Sequence, residues 1–183
     1  MSEGNGTNEP MDGATMIDVS VGRIVIREGR DHQYIYLKEK NGDRGFPIVI
    51  GSNEAWEIHR VVTKHQPERP LTHQLTHNII EALGTKLKRV DIVDLKNNTF
   101  YAQLVLQDEN GELTAVIDAR PSDAIAIGLR ARCGLRVAED VLENVRTDVS
   151  GPDPLPDGPI EPVDPDLPEL PDETEADEPT DEE

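Results

Sequence analysis

One cysteine, Cys133, in 183 residues excludes an intrachain disulfide and any paired-cysteine metal knuckle, and favours a reducing compartment. Aromatic residues are nearly as scarce. One Trp, two Phe and three Tyr are too few for a platform on which successive bases of a single strand could stack. No apolar run approaches the length that crosses a bilayer, and no basic-then-apolar leader opens the chain, so a soluble cytoplasmic protein without a membrane partner is expected. A glycine-rich phosphate loop and a GxSxG nucleophile elbow are missing too, and with them two common routes to phosphate binding and acyl transfer.

Basic residues are absent from 151–183, where 14 Asp or Glu supply most of the formal net charge of −19. Between residues 16 and 147, by contrast, 18 basic side chains face 19 acidic ones. The acidity therefore belongs to the ends, and the central segment is electrostatically free to meet a polyanion. Three regions follow. Residues 1–15 are polar and Gly-rich and read as disordered. Residues 16–147 are long enough to bury the core of one compact domain. The acidic segment 148–183, which takes in 9 of the 14 prolines, cannot bury enough apolar surface to offset its ordering entropy.

Within the central segment, Ile17, Val19 and Val21 alternate and then change phase to Ile24 and Ile26, the mark of a strand with a bulge near Gly22 and Arg23. "QYIYLKEK" and "GFPIVIG" flank a turn at Asn41-Gly42-Asp43, and Pro47 places the second of them at a strand start or a sheet edge. Ser52 is the expected cap of a helix running to about His65. A second helix from Thr72 carries Leu75, Ile79, Ala82 and Leu83 as its apolar face, with Gly84 at its end. "KLKRVDIVDL" and "TFYAQLVLQD" join through Asn97-Asn98, and Phe100, Ala102, Leu104 and Leu106 give the clearest alternation in the chain. "ELTAVID" returns as a hairpin partner after Asn110-Gly111. A helix over about 121–133, a short "LRV" strand and a helix near 139–145 complete the segment. Strands cluster as hairpins, which predicts an α+β fold, a largely antiparallel sheet covered by helices.

The stretch "DARPSDA" (118–124) sets two carboxylates and a guanidinium at a strand-to-helix junction. Pro121 suits the first helical position and Ser122 or Asp123 can accept from free helix N–H groups, so a plain helix start accounts for them. Asp118 and Arg120 ask for more. Such junctions suit phosphate, and Asp118 with Asp123 could hold Mg²⁺ or Mn²⁺ through oxygen while Arg120 steadies a phosphodiester. His73, His77 and Glu81 fall on one helical stripe, which a solvated polar face explains as well as a metal site does. His59 lies on an apolar face and reads as a packed histidine.

Taken together, "RPLTH" (69–73), "FYAQLVL" (100–106) and "IDARPSDAIAIGLR" (117–130), with "FPIVIGSNEAWEI" (46–58), make the chain resemble the bifunctional nuclease family, which acts on DNA and RNA. The resemblance runs in order from about Ile17 to Val145. It implies a compact α+β domain, a homo-oligomer and a nucleic-acid substrate. It directs attention to Arg69, Thr72, His73, Asp118, Arg120, Ser122 and Asp123, and departs from the family's usual aspartate at Gln74. The expected hydrolase uses His73, Asp118 and Asp123 as catalytic groups, Arg69 and Arg120 on substrate phosphate, and Asp118 with Asp123 on the cation. The competing expectation is a non-catalytic oligomeric module, favoured by the small residues Ala124, Ala126 and Gly128 along one helix.

Overall fold

A computed structural model describes residues 13–27 and 32–147, the side chains of residues 146 and 147 excepted. Most of the expected N-terminal segment and the whole acidic C-terminal segment lie outside the described residues. In chain order the elements are β1 (Met16–Val25), β2 (Gln33–Glu39), β3 (Gly45–Ile50), α1 (Ser52–Thr63), α2 (Thr72–Ala82), β4 (Lys86–Lys96), β5 (Thr99–Gln107), β6 (Leu113–Ala119), α3 (Pro121–Ala131), β7 (Gly134–Ala138) and α4 (Glu139–Thr147). The strands form one seven-stranded sheet in the order β3-β2-β1-β7-β4-β5-β6. Every neighbouring pair is antiparallel except β4 and β7. The α+β architecture with a largely antiparallel sheet is therefore the observed one.

Local chemistry explains most boundaries. The register of β1 against β2 slips between Val21 and Arg23, where the alternation changes phase. Asn97 and Asn98 both take positive φ, 50° and 58°, the backbone a tight β4–β5 hairpin requires and asparagine tolerates. Pro47 sits inside β3 rather than at its start, and β3 is an edge strand, so its missing N–H breaks no ladder. Ser52 is the first helical residue of α1 instead of its cap, which is Gly51. Its hydroxyl accepts from Gln33 Nε2 at 3.2 Å.

The core lies between one face of the sheet and α1, α3 and α4. Ile35, Leu37, Phe46, Val90, Ile92 and Val137 from the strands meet Ile58, Ile125 and Leu142 from the helices. Phe46 of β3 stacks on Phe100 of β5, ring centres 5.5 Å apart, although four strands separate β3 from β5 in the sheet order; the sheet is strongly curled. Helix α3 packs close to β4, because a Cβ on Gly128 would stand 2.8 Å from Val90 Cγ2. Glu57, 1% exposed, braces α1 to α3: Arg130 donates to it at 3.0 and 2.5 Å, and Arg60 at 3.1 Å.

Helix α2 departs from the expectation. Its apolar face does not enter the core: Leu75, Ile79 and Leu83 are 51%, 49% and 75% exposed, and Ile80 is its one buried residue. The opposite side, with His73 and Ile80, turns inward. Periodicity identifies an apolar stripe but not the neighbour it meets.

Candidate functional site

The first turns of three helices meet through side chains. Glu54 stands in the first turn of α1, His73 in the first turn of α2, and Arg120 with Asp123 at the start of α3. His73 Nε2 lies 2.9 Å from Asp123 Oδ1. Arg120 donates from Nε to Asp123 Oδ2 at 2.7 Å and from Nη2 to Asp123 Oδ1 at 3.0 Å. The same Nη2 reaches Glu54 Oε1 at 2.7 Å. One chain of hydrogen bonds thus runs His73–Asp123–Arg120–Glu54. None of the three helices closes its N-terminus with a side-chain cap, so three positive dipole ends border the cluster.

Electrostatics fix the charge states. Burial is the largest influence on Asp123 and pushes its carboxyl upward, but the hydrogen bonds from Arg120 and His73 together outweigh it and hold the group below the ordinary aspartate value. Hydrogen bonds to Asp123 and Glu54 hold the Arg120 guanidinium firmly protonated. Its side chain is 67% exposed, and its two Nη1 N–H groups donate to no protein partner among the described residues, which leaves them to water or to an incoming anion.

Of the expected site residues, His73, Arg120 and Asp123 are brought together. Asp118 is not. On β6, Ala115 and Ala119 pack against the core, and strict alternation sends Asp118 to the opposite face, in register with Gln103 of β5. There it stands exposed beside a polar row in which Asp91, 1% exposed, accepts from Arg136 and Arg89. Asp118 and Asp123 therefore do not face one another as joint ligands. Among the described residues no group of three or more His, Cys, Asp or Glu side chains is placed to hold a metal ion, and both oxygens of Asp123 are already engaged. A cation held at Asp123 would have to replace its bonds to Arg120 and His73.

Arg69 is exposed in the segment leading to α2, three residues before Thr72. Gln74, next to His73, has a buried Oε1 without a hydrogen-bond partner. His77 turns from the cluster toward Glu81, 3.7 Å away, so the His73–His77–Glu81 stripe is divided between two partners. Glu54 and Glu57 escaped the sequence reading. Each is an ordinary helix acid until its arginine, 66 or 73 residues on, is folded against it.

A family model described as the bifunctional nuclease domain matches residues 35–150, a span that contains α1, α2, α3 and all four clustered side chains. The chain belongs to the bifunctional nuclease domain family. An uncharacterized protein of Mycobacterium tuberculosis is 43% identical over 127 residues, covering 69% of this chain and 74% of that protein. Bifunctional nuclease 1 of Oryza sativa subsp. japonica is 26% identical over 131 residues, 70% of this chain and 40% of its own length. Bifunctional nuclease 1 of Arabidopsis thaliana is 27% identical over 108 residues, 58% of this chain and 33% of its own. The chain thus corresponds to well under half of these plant nucleases. Among the described residues of this bifunctional nuclease domain, no helix is long and apolar enough to cross a membrane.

Proposed function

We propose that the chain is a nuclease that hydrolyses phosphodiester bonds of DNA and RNA where α1, α2 and α3 converge. The observation that carries this reading is the 2.9 Å contact between His73 and Asp123, closed on its other side by Arg120.

Asp123 accepts from Nε2–H of His73 and so leaves the lone pair on Nδ1, the state in which an imidazole accepts a proton from water. The resulting hydroxide attacks phosphorus. A P–O bond to the incoming oxygen forms, the bond to the departing sugar oxygen breaks, and the imidazolium returns its proton to that oxygen. Negative charge gathers on the non-bridging oxygens. The free Nη1 donors of Arg120 and the three helix N-termini are arranged to meet it, with Arg69 as a further phosphate contact. None of these groups reads a 2′-hydroxyl, which accounts for action on both nucleic acids. No step is routed through a metal ion.

His73→Gln and Asp123→Asn, assayed beside the parent on single-stranded DNA and RNA with and without EDTA, test the proposal. Loss of cleavage in both variants with fold retained is expected; turnover undiminished in His73→Gln would end it.

The satisfied ion pairs Glu54–Arg120 and Glu57–Arg130 favour a second reading, in which the same motif only clamps α1 to α3 in a non-catalytic interaction module. On that reading Asp123→Asn lowers the melting temperature while the purified parent shows no turnover above a mock preparation.

A further inference from the structure

Where the last turns of α1 and α3 meet strand β1, a cavity of about 280 Å³ opens on the surface. Its wall is aliphatic: Val21, Val62, Leu129 and Leu135 line it, and Val62 is 41% exposed. Two cations, Arg23 and Lys40, stand among the lining residues and no acid does. Neither cation enters an ion pair among the described residues. The cavity sits at the register slip of β1 between Val21 and Arg23, and a bulge of this kind re-aims a side chain. Lys64 and Arg132, the left-handed C-caps of α1 and α3, offset the partial negative charge of the two helix ends, so the charge of Arg23 and Lys40 is left over. The volume falls just short of the roughly 300–1,000 Å³ that enclose a small ligand. It suits one or two side chains with a carboxylate beside them.

We propose that this cavity docks the acidic segment 160–170 of the same chain, an aliphatic side chain entering it while the neighbouring carboxylates meet Arg23 and Lys40. Docking there leaves the His73–Asp123 cluster uncovered, because the cavity lies at the opposite ends of α1 and α3, so it does not depend on the nuclease reading. Composition selects the occupant. In "IEPVDPDLPEL" (160–170) each aliphatic residue has a carboxylate next to it: Ile160 with Glu161, Val163 with Asp164, Leu167 with Asp166 and Leu170 with Glu169. That pairing complements an aliphatic wall beside two unpaired cations. A nucleic-acid strand would answer the cations and leave the wall unfilled. Proline recurs at every third position from 156 to 171. Each one fixes its own φ, so ordering the segment costs less backbone entropy than ordering an unrestricted chain. Reach agrees. Ile160 follows the end of α4 at Thr147 by thirteen residues. Extended, these span up to about 40 Å, more than twice the radius of gyration of about 14 Å for a compact domain of this length. Such a tether holds the segment near its site at up to about millimolar concentration, and contacts too weak to retain a free peptide are then sufficient.

The full chain carries its own probe, because its single cysteine, Cys133, lines the same cavity. Val163→Cys and Leu167→Cys, oxidised with diamide at low salt, are expected to close an intramolecular disulfide to Cys133 at least tenfold faster than Thr180→Cys, which lies beyond the segment. Loop length alone accounts for only about a twofold difference. Adding Arg23→Glu/Lys40→Glu brings the rate down to that of the Thr180→Cys control, as does about 1 M salt, which screens such contacts. Glu161→Gln/Asp164→Asn/Asp166→Asn/Glu169→Gln does the same while leaving residues 16–147 untouched, should the cation variant fold poorly. In the unsubstituted chain, amide ¹⁵N heteronuclear NOE values are expected to be positive over 160–170 and to fall toward zero beyond 175. Equal closure rates at 163, 167 and 180, or rates indifferent to the charge variants, would overturn the proposal. A disulfide that joins two chains would overturn it too, since another copy's segment would then be the occupant.

Discussion

The imidazole Nε2 of His73 lies 2.9 Å from Oδ1 of Asp123, joining the first turns of two helices that are fifty residues apart in sequence. The contact gives one carboxylate two tasks. It orients an imidazole, and it anchors the guanidinium of Arg120, which in turn reaches Glu54. Removing the charge from Asp123 while keeping its shape should therefore lower turnover by about 10²- to 10⁴-fold, the usual worth of a positioned acid–base group. Comparing kcat and KM for Asp123→Asn with those for the parent measures it.

Acid stability follows from the same group. Its pKa lies below the ordinary aspartate value of 3.8. The ionised form is thus favoured in the folded state, and its stabilisation is present above the unfolded value and lost as pH falls through the folded one. Urea melts between pH 7 and pH 3 should show the parent losing stability at the acid end, and Asp123→Asn losing less. Equal acid limbs would argue against the contact.

Glu57 predicts a larger structural effect. It is 1% exposed between Arg60 and Arg130, and Glu57→Gln leaves both cations without their carboxylate. Breaking a buried pair from one side costs about 3–5 kcal/mol, to be seen as a lowered urea midpoint with an unchanged slope.

Gly128 is a test of packing. An added Cβ would lie 2.8 Å from Val90 Cγ2, and Val90 is fully buried, β-branched and unable to turn aside. Gly128→Ala should cost about 1–3 kcal/mol through overpacking in spite of alanine's better helix propensity. Stabilisation by this substitution would contradict the close approach of α3 to β4.

Burial pushes the Cys133 thiol up to about 11. Since the thiolate is the nucleophile, iodoacetamide should modify Cys133 much more slowly at pH 8 than it modifies an exposed peptide thiol, the rate climbing steadily toward pH 11. A plateau near pH 8.5 would show an ordinary, accessible thiol.

Much of the fold was legible because local chemistry sets it: the phase slip at Gly22, the Asn97-Asn98 hairpin, the alternation of Phe100 to Leu106 and the Pro121 helix start. Strand order was not. That β7 inserts between β1 and β4, parallel to the latter, depends on long-range pairing that no local pattern encodes. The site divides in the same way. His73, Arg120 and Asp123 stand out as polar residues at helix starts, and the fold gathers them. Asp118 instead stands on β6 across from Gln103 of β5, a cross-strand neighbour no local pattern encodes, and Glu54 was invisible because its meaning lies in an arginine 66 positions later. The outward apolar row of α2 was read correctly as a row but not as a surface.

On the proposed nuclease reading, the imidazole of His73, oriented by Asp123, moves the proton in phosphodiester cleavage. Single-turnover cleavage of an end-labelled single-stranded DNA by the parent and by His73→Gln, matched for circular dichroism and melting temperature, tests it most directly. A rate at least about a hundredfold lower is expected for the variant; equal rates would leave His73 without a part in the proton transfer.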